Sequence, residues 1–210
     1  MTVDWRYLEG LLSSTTKHSV LDKLLVIASG MDPARTLSFT LNFGASRHRR
    51  LSQKPAETVI RTLRNEVGRL QRLGPVVFSL ERTGEGRLHL HGLIETSHDG
   101  REVRDALRSV GGRCDDRVFA NLRQAPTAAT EPGTSPIGWC LYMTKELVNA
   151  PAETVDQSVY ISPGAKLIYE SQFDWLRRSS EAVLALDSPY WGRVGRRPSH
   201  GFVMAKPTLH

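Results

Sequence analysis

Two groups of residues in this chain have types and spacings that could do chemistry. The first is His89-Leu90-His91. In a strand the period of two sends both imidazoles to one face and Leu90 to the other. Two imidazoles so placed can bind one metal ion. They can equally be half-exposed sheet histidines, because an HxH triplet is common. Glu81 adds a carboxylate if the intervening hairpin brings it to the same face, since opposite residues of an antiparallel pair share a face. A three-residue loop, Thr83-Gly84-Glu85, with Gly86 as the bulge residue, pairs Arg82 with Gly86 and Glu81 with Arg87. In that register Glu81, His89 and His91 project together, and Val76, Phe78, Leu80, Leu88 and Leu90 project oppositely. A slip of one residue would bury the wrong set. One carboxylate and two imidazoles suit Mn²⁺ or Mg²⁺ with open positions for phosphate oxygens, and zinc is compatible. The alternative for Glu81 is a hairpin-end charge facing water.

The second group is Tyr142 and Lys145, expected on a helix spanning 136–149. Residues i and i+3 are neighbours on a helix, so the phenol and the ammonium share a face. A phenol can attack phosphorus and conserve the phosphodiester energy in a covalent ester. An ordinary phenol titrates near ~10, so it needs proton removal or a nearby cation. On these residues alone, a core tyrosine beside a solvated lysine is the commoner arrangement.

The elements that must position these groups are legible in outline. Thr36 to Asn42 alternates, with Leu37, Phe39 and Leu41 on one face and Ser38, Thr40 and Asn42 on the other, as a half-buried strand does. A basic loop follows, carrying Arg47, His48, Arg49, Arg50 and Lys54. Val59, Ile60, Leu63, Val67 and Leu70 predict an amphipathic helix over 55–73, ended by Leu73-Gly74-Pro75. Strands are expected at 76–81 and 87–95, a helix at 99–110 and a strand at 117–123. After a polar loop, Ser135 is a candidate cap before Pro136. The order predicts an α+β fold, a ferredoxin-like or RRM-like β-α-β-β-α-β antiparallel sheet with both helices on one face and an added catalytic helix. The other sheet face (Ser38, Thr40, Asn42, Ser79) is expected to stay free for metal and ligand. Residues 36–150 form this core. Residues 1–35 read as a helical N-terminal extension closed by a turn at Met31-Asp32-Pro33. Residues 151–210 read as a C-terminal extension with one helix over 173–186 and a basic tail containing Arg193, Arg196 and Arg197.

Composition sets limits on function. A chain of 210 residues, 40% apolar and 24% charged, can bury one full core, which argues against a disordered or fibrous protein. No apolar run approaches the roughly 20 residues of a membrane span. The N-terminus lacks the basic-then-apolar order of a secretory signal, and Cys114 and Cys140 make neither a disulfide framework nor a zinc site, so a cytoplasmic location is expected. A net charge of +6 favours a polyanionic partner. Single-strand grooves combine basic residues with stacking aromatics, for which Trp139 and Phe119 are candidates.

Taken together these motifs resemble the HUH replication initiators. Phe39-Thr40-Leu41-Asn42 resembles their first motif, His89-Leu90-His91-Gly92 the HUH motif with Glu81 as the carboxylate ligand, and Tyr142-Met143-Thr144-Lys145 the YxxK motif. The resemblance covers roughly 36–150, in the family's order. It implies that Glu81, His89 and His91 hold Mn²⁺ or Mg²⁺ against a scissile phosphate. It implies that Tyr142 attacks to give a 5′-phosphotyrosine and a free 3′-hydroxyl, while Lys145 steadies the transition state or assists proton transfer. Thr40, Asn42, Arg47, Arg49, Arg50 and Lys54 would contact DNA. The implied activity is sequence-specific nicking and joining of single-stranded DNA at a replication origin, initiating rolling-circle replication of a plasmid or phage-like element. With a single tyrosine, closing the circle is expected to need a second subunit, as a transient dimer, or another nucleophile. No GxxxxGK[ST] phosphate loop occurs, so a host helicase is the expected partner. A single-tyrosine HUH transposase and a non-catalytic single-stranded nucleic-acid-binding domain are the alternatives, the former normally pairing its tyrosine with a glutamine.

Overall fold

Burial of one face of an alternating strand dictates where its partners can pair. In β1 (Thr36–Asn42) that face is Leu37, Phe39 and Leu41. The computed structural model describes residues 19–82, 86–112, 120–124, 136–147 and 150–186. The Thr83-Gly84-Glu85 turn, Cys114, Phe119, Ser135, residues 1–18 and the basic tail lie outside them. The other strands are β2 (Val76–Arg82), β3 (Leu88–Glu95), β4 (Ala120–Gln124) and β5 (Val159–Ile161). They form one sheet in the order β4-β1-β3-β2-β5, with every neighbouring pair antiparallel. The helices are α1 (Val20–Gly30), α2 (Ala45–Ser52), α3 (Ala56–Glu66), α4 (Gly68–Leu73), α5 (Gly100–Gly111), α6 (Pro136–Met143), α7 (Ala152–Ser158) and α8 (Pro163–Leu186).

Two apolar layers sandwich the sheet. On one face Phe39, Leu41, Phe78, Leu80, Leu90 and Ile94 pack with Val59, Ile60 and Leu63 of α3 and Val103, Ala106, Leu107 and Val110 of α5. The α5 set recurs at i, i+3, i+4 and i+7, the stripe a core-facing helix needs. Asp99 caps that helix by accepting from the backbone N–H groups of Arg101 and Glu102, and Gly112 closes it at φ 79°. On the opposite face Val77 and Leu93 pack with Leu24, Ile27 and Ala28 of α1, Cys140 and Met143 of α6, Val155 of α7 and Ala165 of α8. A capping box between Ser19 and Asp22 starts α1.

Several expectations are corrected. The face expected to be free is covered in part by α1 and α6, which leaves Ser38 and Ser79 buried. The basic stretch after β1 is helical, as α2, because buried Leu51 anchors it; one apolar anchor is too little for a periodic signal. The helix expected over 55–73 is two helices that meet at Val67. The helix expected over 136–149 stops at Met143, and tighter turns continue it, Lys145 N–H donating to Tyr142 O at 3.3 Å and Leu147 N–H to Thr144 O at 2.8 Å. The hairpin register is shifted by two: Arg82 pairs with Leu88 and Glu81 with His89. An even shift preserves parity, so the faces come out as expected although the loop is longer. Gly86 retains its left-handed backbone at φ 78°. The strand expected at 117–123 is described from Ala120 to Gln124.

Residues from Val155 to Ala165 join the same core. β5 pairs with β2, and α8 begins at Pro163 and packs on α1. Val-Tyr-Ile is too short a run to reveal a strand by alternation, so β5 is a product of tertiary pairing.

Candidate active site

Cross-strand register assembles the polar residues. β3 lies between β1 and β2, so His91 faces Thr40 on one side and Ser79 on the other, and His89 faces Asn42 and Glu81. Directly opposed residues have Cβ atoms about 4.5–5.5 Å apart, within side-chain reach. His91 Nε2 lies 2.7 Å from Glu81 Oε2, and His91 Nδ1 lies 2.9 Å from Thr40 Oγ1. His89 Nδ1 is bonded to Asn42 Oδ1. The two imidazoles lie nearly parallel, with centroids 6.2 Å apart and planes inclined by 21°.

These partners decide where the protons sit. Asn42 Oδ1 can only accept, so His89 carries its proton on Nδ1 and presents a bare Nε2. An ionised Glu81 also only accepts, so His91 donates from Nε2 and accepts the Thr40 hydroxyl at Nδ1. Both imidazoles are held below their ordinary value, by burial first, with Glu81 opposing.

The second group arrives from α6. Ser79 donates its hydroxyl to the Met143 carbonyl, seating the C-terminal end of the helix on β2. Trp139 donates Nε1–H to Gly92 O at 2.9 Å, tying the same helix to β3. Gly92 has to be glycine, because a Cβ there would collide with the Phe39 ring and the Val77 carbonyl. Between these anchors Tyr142 stands edge-on to His91 with centroids 5.4 Å apart, and it lies 5.0 Å from Trp139. Its side is 42% exposed, so the phenol is open to a ligand. Lys145 Nζ sits 3.4 Å from Glu81 Oε1 and 4.3 Å from the Tyr142 ring centroid. Burial works to lower the Lys145 ammonium, but the Glu81 carboxylate and Tyr142 outweigh it and raise its pKa.

No protein-family model, curated protein or solved structure matches this chain.

The residues that could hold a divalent cation are Glu81, His89 and His91, which share one sheet face and offer oxygen and imidazole nitrogen. Among the described residues no three His, Cys, Asp or Glu side chains close around a common point. Glu81 and His91 bond directly, and His89 is turned to Asn42. The donor types fit a hard divalent ion with open positions, and His89, with Nδ1–H held by Asn42 and Nε2 bare, has the outer hydrogen bond that metal-ligating histidines ordinarily have; His91 would ligate through Nε2 with its proton moved to Nδ1, where Thr40 Oγ1 can accept it.

The expected DNA contacts divide. Thr40 and Asn42 are engaged with the imidazoles. Arg47 pairs with Glu66 and packs against Gly112, and its guanidinium is pulled below its ordinary value by burial and then by Arg50. Arg49 and Arg50 are exposed on α2. Lys54 is half-buried, and its carbonyl accepts from Arg82, whose guanidinium also bonds the Ser52 carbonyl. His48 Nε2 reaches the Gly86 carbonyl at 3.3 Å, so α2 braces the β2–β3 loop. Sequence reasoning assigned Ser79 no anchoring role, and its position opposite His91 was the one available signal.

Proposed function

We propose that this chain is an HUH-type endonuclease on a ferredoxin-like core, nicking and joining single-stranded DNA through Tyr142. The observation that carries the reading is the convergence, on one sheet face, of Tyr142 from α6 and Lys145 from the turns that follow it with Glu81 and His91 from β2 and β3. The strand order β4-β1-β3-β2, with helices between β1 and β2 and between β3 and β4, supports the ferredoxin-like assignment.

In this reading the Tyr142 oxygen attacks the scissile phosphorus. The new O–P bond forms as the P–O3′ bond breaks, the phenolic proton passes to water, and the leaving 3′-oxygen takes a proton from water. Lys145, whose Nζ lies 3.4 Å from Glu81 Oε1, steadies the transition state or assists proton transfer. It sets positive charge beside the developing phosphorane oxygens. Trp139 and the Ser79 anchor fix the height of the phenol above the sheet. Glu81, His89 and His91 would hold a divalent cation, Mn²⁺ or Mg²⁺, which when bound would supply Lewis-acid stabilisation of the same charge. Start of rolling-circle replication at an origin, with help from a host helicase and a transient second copy, belongs to the same proposal.

The direct Glu81–His91 bond favours a second reading, a binding module whose polar cluster is complete in itself. The two are separated by incubating the protein with a randomised single-stranded DNA pool and Mn²⁺ and resolving the products on a denaturing gel. A metal-dependent covalent band that is lost in Tyr142→Phe supports the nickase, and sequencing the attached strands reads the target. Binding without an adduct under any divalent ion supports the binding module.

A further inference from the structure

A cleft of about 570 Å³ lies at the β5 edge of the sheet and contains none of Glu81, His89, His91, Tyr142 or Lys145. That volume is in the range of small-ligand sites. Among the described residues Lys23 from α1, Arg64 from α3 and Lys166 from α8 line it, with Glu170 as the carboxylate of its wall and Asp22 near enough to act on Tyr169. Among the described residues none of these three cations takes part in an ion pair. Like charges brought to one cleft from three separate elements repel one another, and an anion between them relieves that repulsion.

The remaining wall suits a nucleotide chain. Tyr169, half-buried, lines the cleft beside the cations, a combination on which single strands bind, while Tyr160 is stacked on Phe78 and belongs to the core beneath it. Burial, followed by the Asp22 charge, holds the Tyr169 phenol above its ordinary value, so its ring stays neutral. Arg64 also borders an adjoining groove bearing Glu57, Glu153 and Asp156, so part of its charge is balanced there. Lys23 and Lys166 are therefore the cations that define the site.

We propose that this cleft is a second contact for single-stranded DNA, gripping phosphates of strand that lies outside the nicking centre. The identity of the ligand rests on the reading of the chain as a DNA nickase. A grip remote from Tyr142 would keep the strand attached after the P–O3′ bond is cut.

The test is fluorescence anisotropy of the full chain over a range of salt concentrations, with a long oligonucleotide (about 30 nucleotides), beyond the usual single-strand site size, and a short one (about 8) within it. Lys23→Glu with Lys166→Glu is expected to weaken the long strand about tenfold or more. The neutral pair Lys23→Ala with Lys166→Ala should lower the log–log salt slope by about 1.4, from about 0.7 per lost phosphate contact. The short strand and the yield of Tyr142 adduct should be unchanged in both pairs, and circular dichroism reports folding of each. Unchanged slope and affinity for the long strand would overturn the proposal. So would displacement of the long strand from the cleft by millimolar dTMP, which would make it a mononucleotide site. A cleft-dependent slope with no adduct on any DNA would leave the second contact standing and sink the nickase reading alone.

Discussion

Replacing Asn42 by alanine tests whether β1 sets the imidazoles for metal. Asn42 Oδ1 accepts the Nδ1 proton of His89, and nothing in that bond favours the other tautomer. Without it the ring loses a part-buried hydrogen bond worth about 1 kcal/mol and its proton redistributes between the two nitrogens. Loss of such an outer partner ordinarily lowers metal affinity about 10–100-fold, equivalent to about 1.4–2.8 kcal/mol. Thr40→Val should act similarly through His91, whose Nδ1 lies 2.9 Å from the hydroxyl, and Thr40→Ser should restore binding. Calorimetric titration with Mn²⁺ measures the affinity, and ¹⁵N shifts of the histidine rings report the tautomers. In the parent protein His89 should show its proton on Nδ1. If Asn42→Ala and Thr40→Val both keep the parent Mn²⁺ affinity and ring shifts, β1 does not position these residues and the argument fails.

Three further outcomes follow from the packing. Ser79→Ala should cost about 1–3 kcal/mol by leaving the Met143 carbonyl unpaired, and should reduce adduct yield more than DNA affinity; equal losses of both would remove its anchoring role. Gly92→Ala should destabilise by about 1–3 kcal/mol, read as a lower urea midpoint, because the added methyl meets the Phe39 ring and the Val77 carbonyl. Burial pushes the Cys140 thiol up to about 12, from an ordinary value of 9.0. Its contribution to stability is therefore fully present below pH 9.0 and declines as pH rises towards about 12. Cys140→Ala should flatten that alkaline decline in denaturant midpoint. In the native protein peptide mass spectrometry should find Cys140 unlabelled by iodoacetamide at neutral pH, whereas rapid labelling would contradict its burial.

Local pattern carried a large part of the architecture. The alternation in β1 and the i, i+3, i+4, i+7 stripe of α5 are each written in a few consecutive residues, because one buried face selects them. Parity alone put Glu81, His89 and His91 on one face even with the hairpin register two residues away from the pairing found. What local pattern lacks is any record of non-local neighbours. α2 has a single buried anchor, and β5 is three residues long, so both exist through contacts made elsewhere in the chain.

The same division runs through the candidate site. By itself the sequence determined the chemical types, the face-sharing of the two histidines with Glu81, and the i, i+3 kinship of Tyr142 and Lys145, since all follow from short-range periodicity. Only the tertiary structure decided that β1 lies beside β3, which makes Thr40 and Asn42, expected as DNA contacts, hydrogen-bond partners of His91 and His89. It also decided that Ser79 and Gly92 seat α6 and that Arg47 is committed to Glu66. These outcomes depend on which surfaces pack together across long stretches of chain, a choice made by burial of the whole core and not by the spacing of any one motif.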